Sequence, residues 1–561
     1  MAIVANINRS DSTQAAPTIE EVNPLSKELV IGLVGYAGAG CSLVGEKLWA
    51  QLDGAGYKVE YLKLSTLISR LMPEGSLPTV EEGPRGGISK LARAIALQDA
   101  GDGLRERHKH YAVAALAVKE IKRLRGAVLP GEERRAFILD SIKHHSEVDL
   151  LRRVYDRSFR LISVHCERSM REFRLIGKRD STAKYKGAPE KEVQSYMDRD
   201  EGDAAKKFGQ QVREAFYLGD FFVDNNAKSA DGIRLNKGIE RFLNLVLGRE
   251  LVRPTEQEVG MFHAYAASLQ SSCLSRQVGA ALQAGDGRIV STGTNEVPKF
   301  GGGVYSEGDK KDERCHKFKF SLGKDGDGYE ITFRGCHNDR RKRILRKEIA
   351  KWLAKKYGPK LAEHLNSELG MFKGSALSKN IEETSAKISE HIEKNESVFD
   401  DLPGVKDIIE YSRAIHAEMT AVFSAARQGI ATINGKLYCT TFPCHNCARH
   451  LVVAGISHVY YIEPYVKSLA SELHGDSILT TPPVDLITGQ PTEEKVDKML
   501  VLPFTGVGPR MYEDHFTKRS ELKVKGAGDY IEPRGEFPAL AVRVSELARV
   551  EELAAGLVPD A

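Results

Sequence analysis

Three shortages bound what this chain can be. Cysteine is scarce, with eight in 561 residues, too sparse for the disulfide scaffold of a small secreted protein. Long apolar runs are missing too: none approaches the roughly 20 residues that span a bilayer, so no membrane is expected among the partners. An excess of one charge is also absent. The 81 Lys and Arg stand against 77 Asp and Glu, a net charge of +4, which argues against a general nucleic-acid-coating protein. The opening residues, MAIVANINRSDSTQ, hold no basic stretch followed by an apolar core. No secretory signal is therefore expected, and a cytoplasmic location is. No internal repeat or low-complexity tract interrupts the chain.

What is present is ordinary globular material, 41% hydrophobic and 28% charged. The length suits roughly two to four domains. Residues 1–25 are polar and rich in Ser, Thr and Asn, and read as a flexible N-terminal tail. From 26 to 253, strand-like runs (Leu29 to Val34, Ala136 to Leu139, Phe159 to Val164) alternate with helical patterns, as in a parallel α/β sheet. That pattern fades at Arg253-Pro254. A second domain is expected over 254–535, with short strands at Val278 to Leu282, Ile289 to Thr292, Lys436 to Thr441 and His458 to Ile462. A charged insertion occupies about 300–410 of it, and within that KRILRKEIAKWLAKKY reads as a basic amphipathic helix. The run Arg340-Arg341-Lys342-Arg343 reads as a solvated helix face, and residues 536–561 as a C-terminal tail.

The cysteines are unevenly placed, and in an intracellular chain clustered cysteines near histidines read first as metal ligands. H-A-E at 416–418 is followed by P-C-H-N-C at 443–447. Hydrolytic deamination needs a water made nucleophilic near neutral pH and a group that carries protons to the departing amine. Zn²⁺ supplies the first need, lowering the pKa of its water from about 15.7 to about 7. Three protein ligands leave the fourth tetrahedral position open. His416, Cys444 and Cys447 are the expected ligands and Glu418 the expected proton carrier, in the H-x-E…P-C-x-x-C arrangement of zinc deaminases. His416 and Cys444 each open a helical pattern, where the positive end of the helix dipole favours thiolates.

The glycine-rich turn GYAGAGCS follows a strand and precedes a helix, the setting of a phosphate loop. Gly35, Gly38, Gly40, Cys41 and Ser42 are its candidate nucleotide-binding residues, and Asp140, ending FILD, is a Walker-B-like carboxylate. Cys41 stands where the phosphate-neutralising lysine belongs. A kinase-like P-loop fold with weak or absent phosphoryl transfer and a regulatory role is expected.

SSCLSRQVGAALQAGDGRIVSTGTNEVP (271–298), HAEMTAVFSAAR and TTFPCHNCARHLVVAGI resemble the opening strand pair and zinc motifs of deoxycytidylate (dCMP) deaminases. With HVYYIEPYVKSLASELHGDSI, they resemble a bacterial subgroup that fuses a P-loop domain to this deaminase and is implicated in antiphage defence by depleting deoxycytidine nucleotides. The resemblance implies an N-terminal P-loop kinase-like parallel sheet and a C-terminal cytidine-deaminase-like α/β/α domain. It implies Zn²⁺ as cofactor and dCMP or dCTP as substrate. Asn295 is implied to contact the sugar or base, with Glu463 and Tyr465 at the pocket mouth. A regulatory nucleotide and an inhibitory small RNA are implied as partners, and a homo-oligomer is expected. Thr420 departs from the asparagine common in the family. Some relatives hold a second zinc through a cysteine in the position of Cys273. Cys315, Cys336 and His337 are the further candidates here, and incidental thiols are the alternative reading. Polynucleotide cytidine deamination, or an NTP-driven switch with an ancillary deaminase half, are the rival functions.

Overall fold

The computed structural model describes residues 26–558 apart from 81–85, 129–132, 177–187, 204–205, 227–231, 325–329, 370–382, 388–389, 392–403, 406–407, 409–410, 466–467, 482–496, 518–522, 524–529 and 533–542. The expected tail at 1–25 lies outside the described residues, as do parts of 300–410 and of 536–561. The chain divides into two compact units, one ending at Glu258 and resuming at Pro503, the other spanning Val259–Leu502. The first division falls near the expected break at Arg253-Pro254. The second corrects the expected end of the deaminase domain at 535, because from Pro503 the chain belongs with the first unit again.

The first unit is built on β1 (Leu29–Val34), β2 (Lys58–Lys63), β3 (Arg135–Ile142), β4 (Phe159–His165) and β5 (Phe221–Asp224). β1 reads LVIGLV with every residue buried, and β4 is buried throughout. Strands apolar on both faces need cover on both faces, as parallel sheets have. The order is β5-β4-β1-β3-β2, with β1 parallel to both β3 and β4. The chain leaves β1 for β2 on one side and later crosses to β4 on the other, so the carboxyl end of β1 is a topological switch point. There Gly38 (φ 83°) and Gly40 (φ 85°) turn the chain into helix α1 (Cys41–Asp53). Both lie in the left-handed region that a Cβ disfavours.

The returning segment adds Gly506–Val507 antiparallel to β5. It also corrects the expected C-terminal tail: Val544–Ala555 is a helix that buries Val544, Leu547, Glu551 and Ala554. Arg125 anchors it. Its guanidinium donates to Glu551 at 2.5 and 2.8 Å and to Glu28, just before β1, at 2.6 and 2.7 Å, with all three side chains buried.

In the second unit β6 (Gly279–Gln283), β7 (Ile289–Thr294), β10 (Lys436–Thr441), β11 (His458–Glu463), β12 (Ile478–Leu479) and β13 (Met499–Pro503) form a sheet ordered β12-β13-β11-β10-β6-β7. β6 runs antiparallel to β7 and β10, while β10 and β11 are parallel. Helix α2 (Ala417–Arg427) lies close against β7 because Gly293 has no side chain: a Cβ there would sit 2.2 Å from the Ala417 carbonyl oxygen. Helix α3 (His445–Val453) follows β10. Leu282, Ala421, Leu437, Leu451 and Val459 are core residues between sheet and helices. The described part of the insertion contains a hairpin of β8 (Phe320–Lys324) and β9 (Glu330–Phe333), then a helix over His337–Leu369. That helix contains the expected basic stretch. It buries Ala350 and Ala354 while Trp352 stays exposed.

Arg125→Ala leaves the Glu28 and Glu551 carboxylates buried without their cation, a loss of about 3–5 kcal/mol for a broken buried ion pair. Urea denaturation followed by circular dichroism should show the first unit unfolding at markedly lower denaturant. A variant that unfolds with the wild type would contradict the anchoring role of Arg125.

Candidate active site

Two helix N-termini carry the chemistry of the second unit. His416 is extended (φ −76°, ψ 152°) and immediately precedes α2. Cys444, also extended (φ −69°, ψ 164°), caps α3, its sulfur accepting the Cys447 backbone N–H at 3.4 Å. One turn into α3, Cys447 returns to the same side. The Thr420 hydroxyl is shared between the carbonyls of Thr294 (3.0 Å) and His416 (3.1 Å). It thereby ties the start of α2 to the end of β7. This is a structural task for the residue at which the sequence departs from the dCMP-deaminase pattern.

His416 Nδ1 lies 3.3 Å from the sulfurs of both Cys444 and Cys447. All three donor atoms fall within 4.8 Å of one another. Tetrahedral bonds of about 2.3 Å to sulfur and 2.0 Å to nitrogen give an N···S edge of about 3.5 Å, so the donor set fits a zinc ion. Hydrogen bonds from Cys447 and His416 pull the Cys444 thiol down, the Cys444 contact pushes His416 up, and contact with Cys444 together with burial pushes the Cys447 thiol up.

Glu418 sits in the first turn of α2, 4% exposed. Burial raises its carboxyl above the usual range, opposed by the nearby His416. A buried carboxyl raised in this way holds its proton more readily than an exposed one, as a group that carries protons must. Glu418, His416 and Cys444 line a cavity of about 390 Å³ within this unit. Asn295 lines it too, but both ends of its amide already hold backbone: Oδ1 accepts from Val278 N and Nδ2 donates to the Arg276 carbonyl, each at 2.7 Å. Tyr465 lines the cavity and packs beside Met419 and the two cysteines. Glu463 is buried and paired with Arg276.

Cys273, Cys315, Cys336 and His337 line the same cavity. Among the described residues, however, only His416, Cys444 and Cys447 gather as a ligand trio. The Cys336 sulfur is 3.6 Å from the Ser275 hydroxyl, and the His337 ring lies against Phe318, Phe320 and Phe333. Three cations that the motifs did not single out also line the cavity: Arg276, Lys342 and Arg413. Lys342 corrects the expectation of a wholly solvated face for 340–343. In the same run Arg340 stacks over Phe320 and Phe333, and Arg341 over Tyr411. Arg413 stands three residues before His416, and its guanidinium lies 3.9 Å from the centre of the Phe318 ring.

In the first unit, the Gly35–Ser42 loop and Asp140 line a separate cavity. The Ser42 hydroxyl and the Tyr61 hydroxyl both donate to Asp140 Oδ2 at 2.7 Å. Cys41 is buried, and burial pushes its thiol up to about 12. It contributes no charge to the loop.

Residues 374–463 match the family described as the cytidine and deoxycytidylate deaminase zinc-binding region. The chain is 37% identical to ComE operon protein 2 of Bacillus subtilis (strain 168) over 76 residues, 13% of this chain and 40% of that relative. The match thus spans less than half the relative's length. Over 205 residues, 36% of this chain and 78% of the relative, it is 28% identical to deoxycytidylate deaminase of Enterobacteria phage T2. A solved structure, dCMP deaminase from cyanophage S-TIM5, is matched over its whole length by 45% of this chain, at 14% identity and a TM-score of 0.20. A superposition that loose carries no weight for the fold. The matched region is the zinc-binding region of cytidine and deoxycytidylate deaminases, and the phage relative is named a deoxycytidylate deaminase.

Cys444→Ser removes the sulfur that bridges His416 and the α3 amide. Purified variant protein should carry little zinc by inductively coupled plasma mass spectrometry, while wild type carries about one ion per deaminase site. Undiminished zinc in the variant would take Cys444 out of the ligand set.

Proposed function

We propose that the second unit performs zinc-dependent hydrolysis of the amino group of deoxycytidine nucleotides, dCMP or dCTP, yielding the deoxyuridine nucleotide and ammonia. The observation that carries this reading is the gathering of His416, Cys444 and Cys447 as one donor trio, with His416, Cys444 and the buried Glu418 lining one cavity. His416, Cys444 and Cys447 would hold Zn²⁺, which when bound would acidify a water toward neutral pH. Glu418 takes one proton from the attacking water and gives it to the ring nitrogen. It then takes the proton of the hydroxyl added at C4 and gives it to the amino group, so that ammonia leaves as the C4–N bond breaks and the C4 carbonyl forms. The phage relative acts on deoxycytidylate by its name. Arg276, Lys342 and Arg413 at the cavity suit a substrate that bears phosphate.

The first unit we read as a kinase-like P-loop domain with a regulatory task. Support comes from the glycine loop at the switch point, the Ser42–Asp140 contact and the neutral residue at position 41. Removal of deoxycytidine nucleotides drains one of four DNA precursors. That consequence, together with the resemblance to antiphage deaminases, supports a role in restricting phage replication and explains the need for a control domain.

Glu418→Ala should retain zinc at the wild-type level and lose deamination of dCMP and dCTP by about 100-fold or more, the scale of a lost general acid–base group. Chromatographic assay of the deoxyuridine product, beside metal analysis of the same sample, makes the comparison. Substantial turnover in the variant would remove Glu418 from the proton path.

A further inference from the structure

The phosphate loop of the first unit lacks its own lysine, yet an ammonium stands beside it. Lys143, the residue after β3, places Nζ 3.3 Å from the carbonyl oxygen of Gly35, the first residue of the loop. The same Nζ is 2.8 Å from Oδ1 of Asp200, whose other oxygen accepts the Ala37 backbone N–H at 2.7 Å. Burial opposes charge on Lys143, but Asp200 outweighs it, and the ammonium is held above its usual pKa. Cys41 cannot serve in its stead, being neutral and packed against Gly35.

Around this ammonium lies a cavity of about 600 Å³, lined also by Lys90, Arg93 and Gln98. The amides of the first turn of α1 open toward the loop without helical acceptors, and their dipole favours an anion. Ser42 and Asp140 meet at 2.7 Å where a divalent cation takes a hydroxyl and a carboxylate in P-loop proteins. Gln98 adds an independent sign of a ligand. It is 4% exposed, its amide nitrogen donates to Gln210, and its amide oxygen has no hydrogen-bond partner among the described residues. A buried acceptor left unmet is costly, and a donor on a bound base would meet it.

We propose that this cavity binds a nucleoside triphosphate with a divalent cation, and that Lys143 replaces the lysine missing from position 41, its ammonium meeting the terminal phosphates. This rests on reading the first unit as a P-loop nucleotide-binding domain and assigns the cation that reading lacks. The Asp200 pairing tempers the ammonium, which suits binding and sensing better than phosphoryl transfer.

Titration calorimetry on the full-length zinc-loaded protein tests it, with Mg²⁺ and ATP, GTP, dTTP or inorganic tripolyphosphate, none of which carries the cytosine amino group. Lys143→Gln keeps a hydrogen-bond donor toward Asp200 and Gly35 but drops the charge. The tightest of these ligands should bind it about tenfold more weakly or worse, the scale of one charge-assisted phosphate contact. Adding Cys41→Lys to that variant should restore most of the affinity. Equal binding by wild type and Lys143→Gln overturns the lysine assignment and leaves the domain reading standing. A loss that Cys41→Lys does not repair marks Lys143 as structural and also overturns it. Wild-type protein that binds none of the four overturns the domain reading and the proposal together.

Discussion

The chemistry of the second unit depends on two backbone ends being pinned side by side. His416 and Cys444 each precede a helix in extended conformation, and their donor atoms approach within 3.3 Å. Nothing in the side chains alone achieves that. It requires α2 to lie hard against β7, which Gly293 permits and Thr420 fastens, and it requires β10 to deliver Cys444 at the start of α3. Once these ends are fixed, Glu418 falls one residue inside α2 and faces the same cavity. Glu418 and the candidate donor trio therefore share a single placement, and a shift of α2 would displace both.

The first unit shows a parallel logic with different chemistry. A fully buried β1 ends at a switch point, two glycines in the left-handed region turn the chain, and the helix that follows presents its amides. Its charges come from elsewhere in the sequence. Arg125 collects Glu28 and Glu551 from opposite ends of the chain, and Lys143 joins Asp200 beside the loop. Each pairing gives a buried carboxylate a neighbouring cation.

How much of this was legible beforehand follows from the range of each signal. The metal trio and Glu418 were readable because each motif is short and helix geometry converts its spacing into direction. β1, β3, β4, β6, β7, β10 and β11 were readable as apolar runs, and the glycine loop by its strand–turn–helix setting, whereas β2, β5, β12 and β13 were not. The return of the chain at Pro503 was not, because a two-residue strand such as Gly506–Val507 leaves no periodic trace. The helix at Val544–Ala555 passed as a tail since one of its inward residues, Glu551, is charged, and only the distant Arg125 makes that position a buried one. Lys143 escaped for the same reason: FILD drew attention to Asp140, while the link from Lys143 to Gly35 crosses more than a hundred residues of chain. Lys342 was taken for a solvated charge because helical periodicity does not reveal which residues border a cavity made by other segments.

The central claim is that the cavity at His416, Glu418 and Cys444 hydrolyses cytosine on free deoxynucleotides. One competition measurement addresses it directly. Purified protein is given dCMP, dCTP, cytidine and a cytosine-containing single-stranded oligonucleotide together in ¹⁸O-labelled water, and every product is weighed by mass spectrometry. The account predicts ammonia release and one ¹⁸O at C4 of uracil in the deoxynucleotides, with the oligonucleotide unchanged. Uracil appearing in the oligonucleotide while dCMP and dCTP stay intact would contradict it.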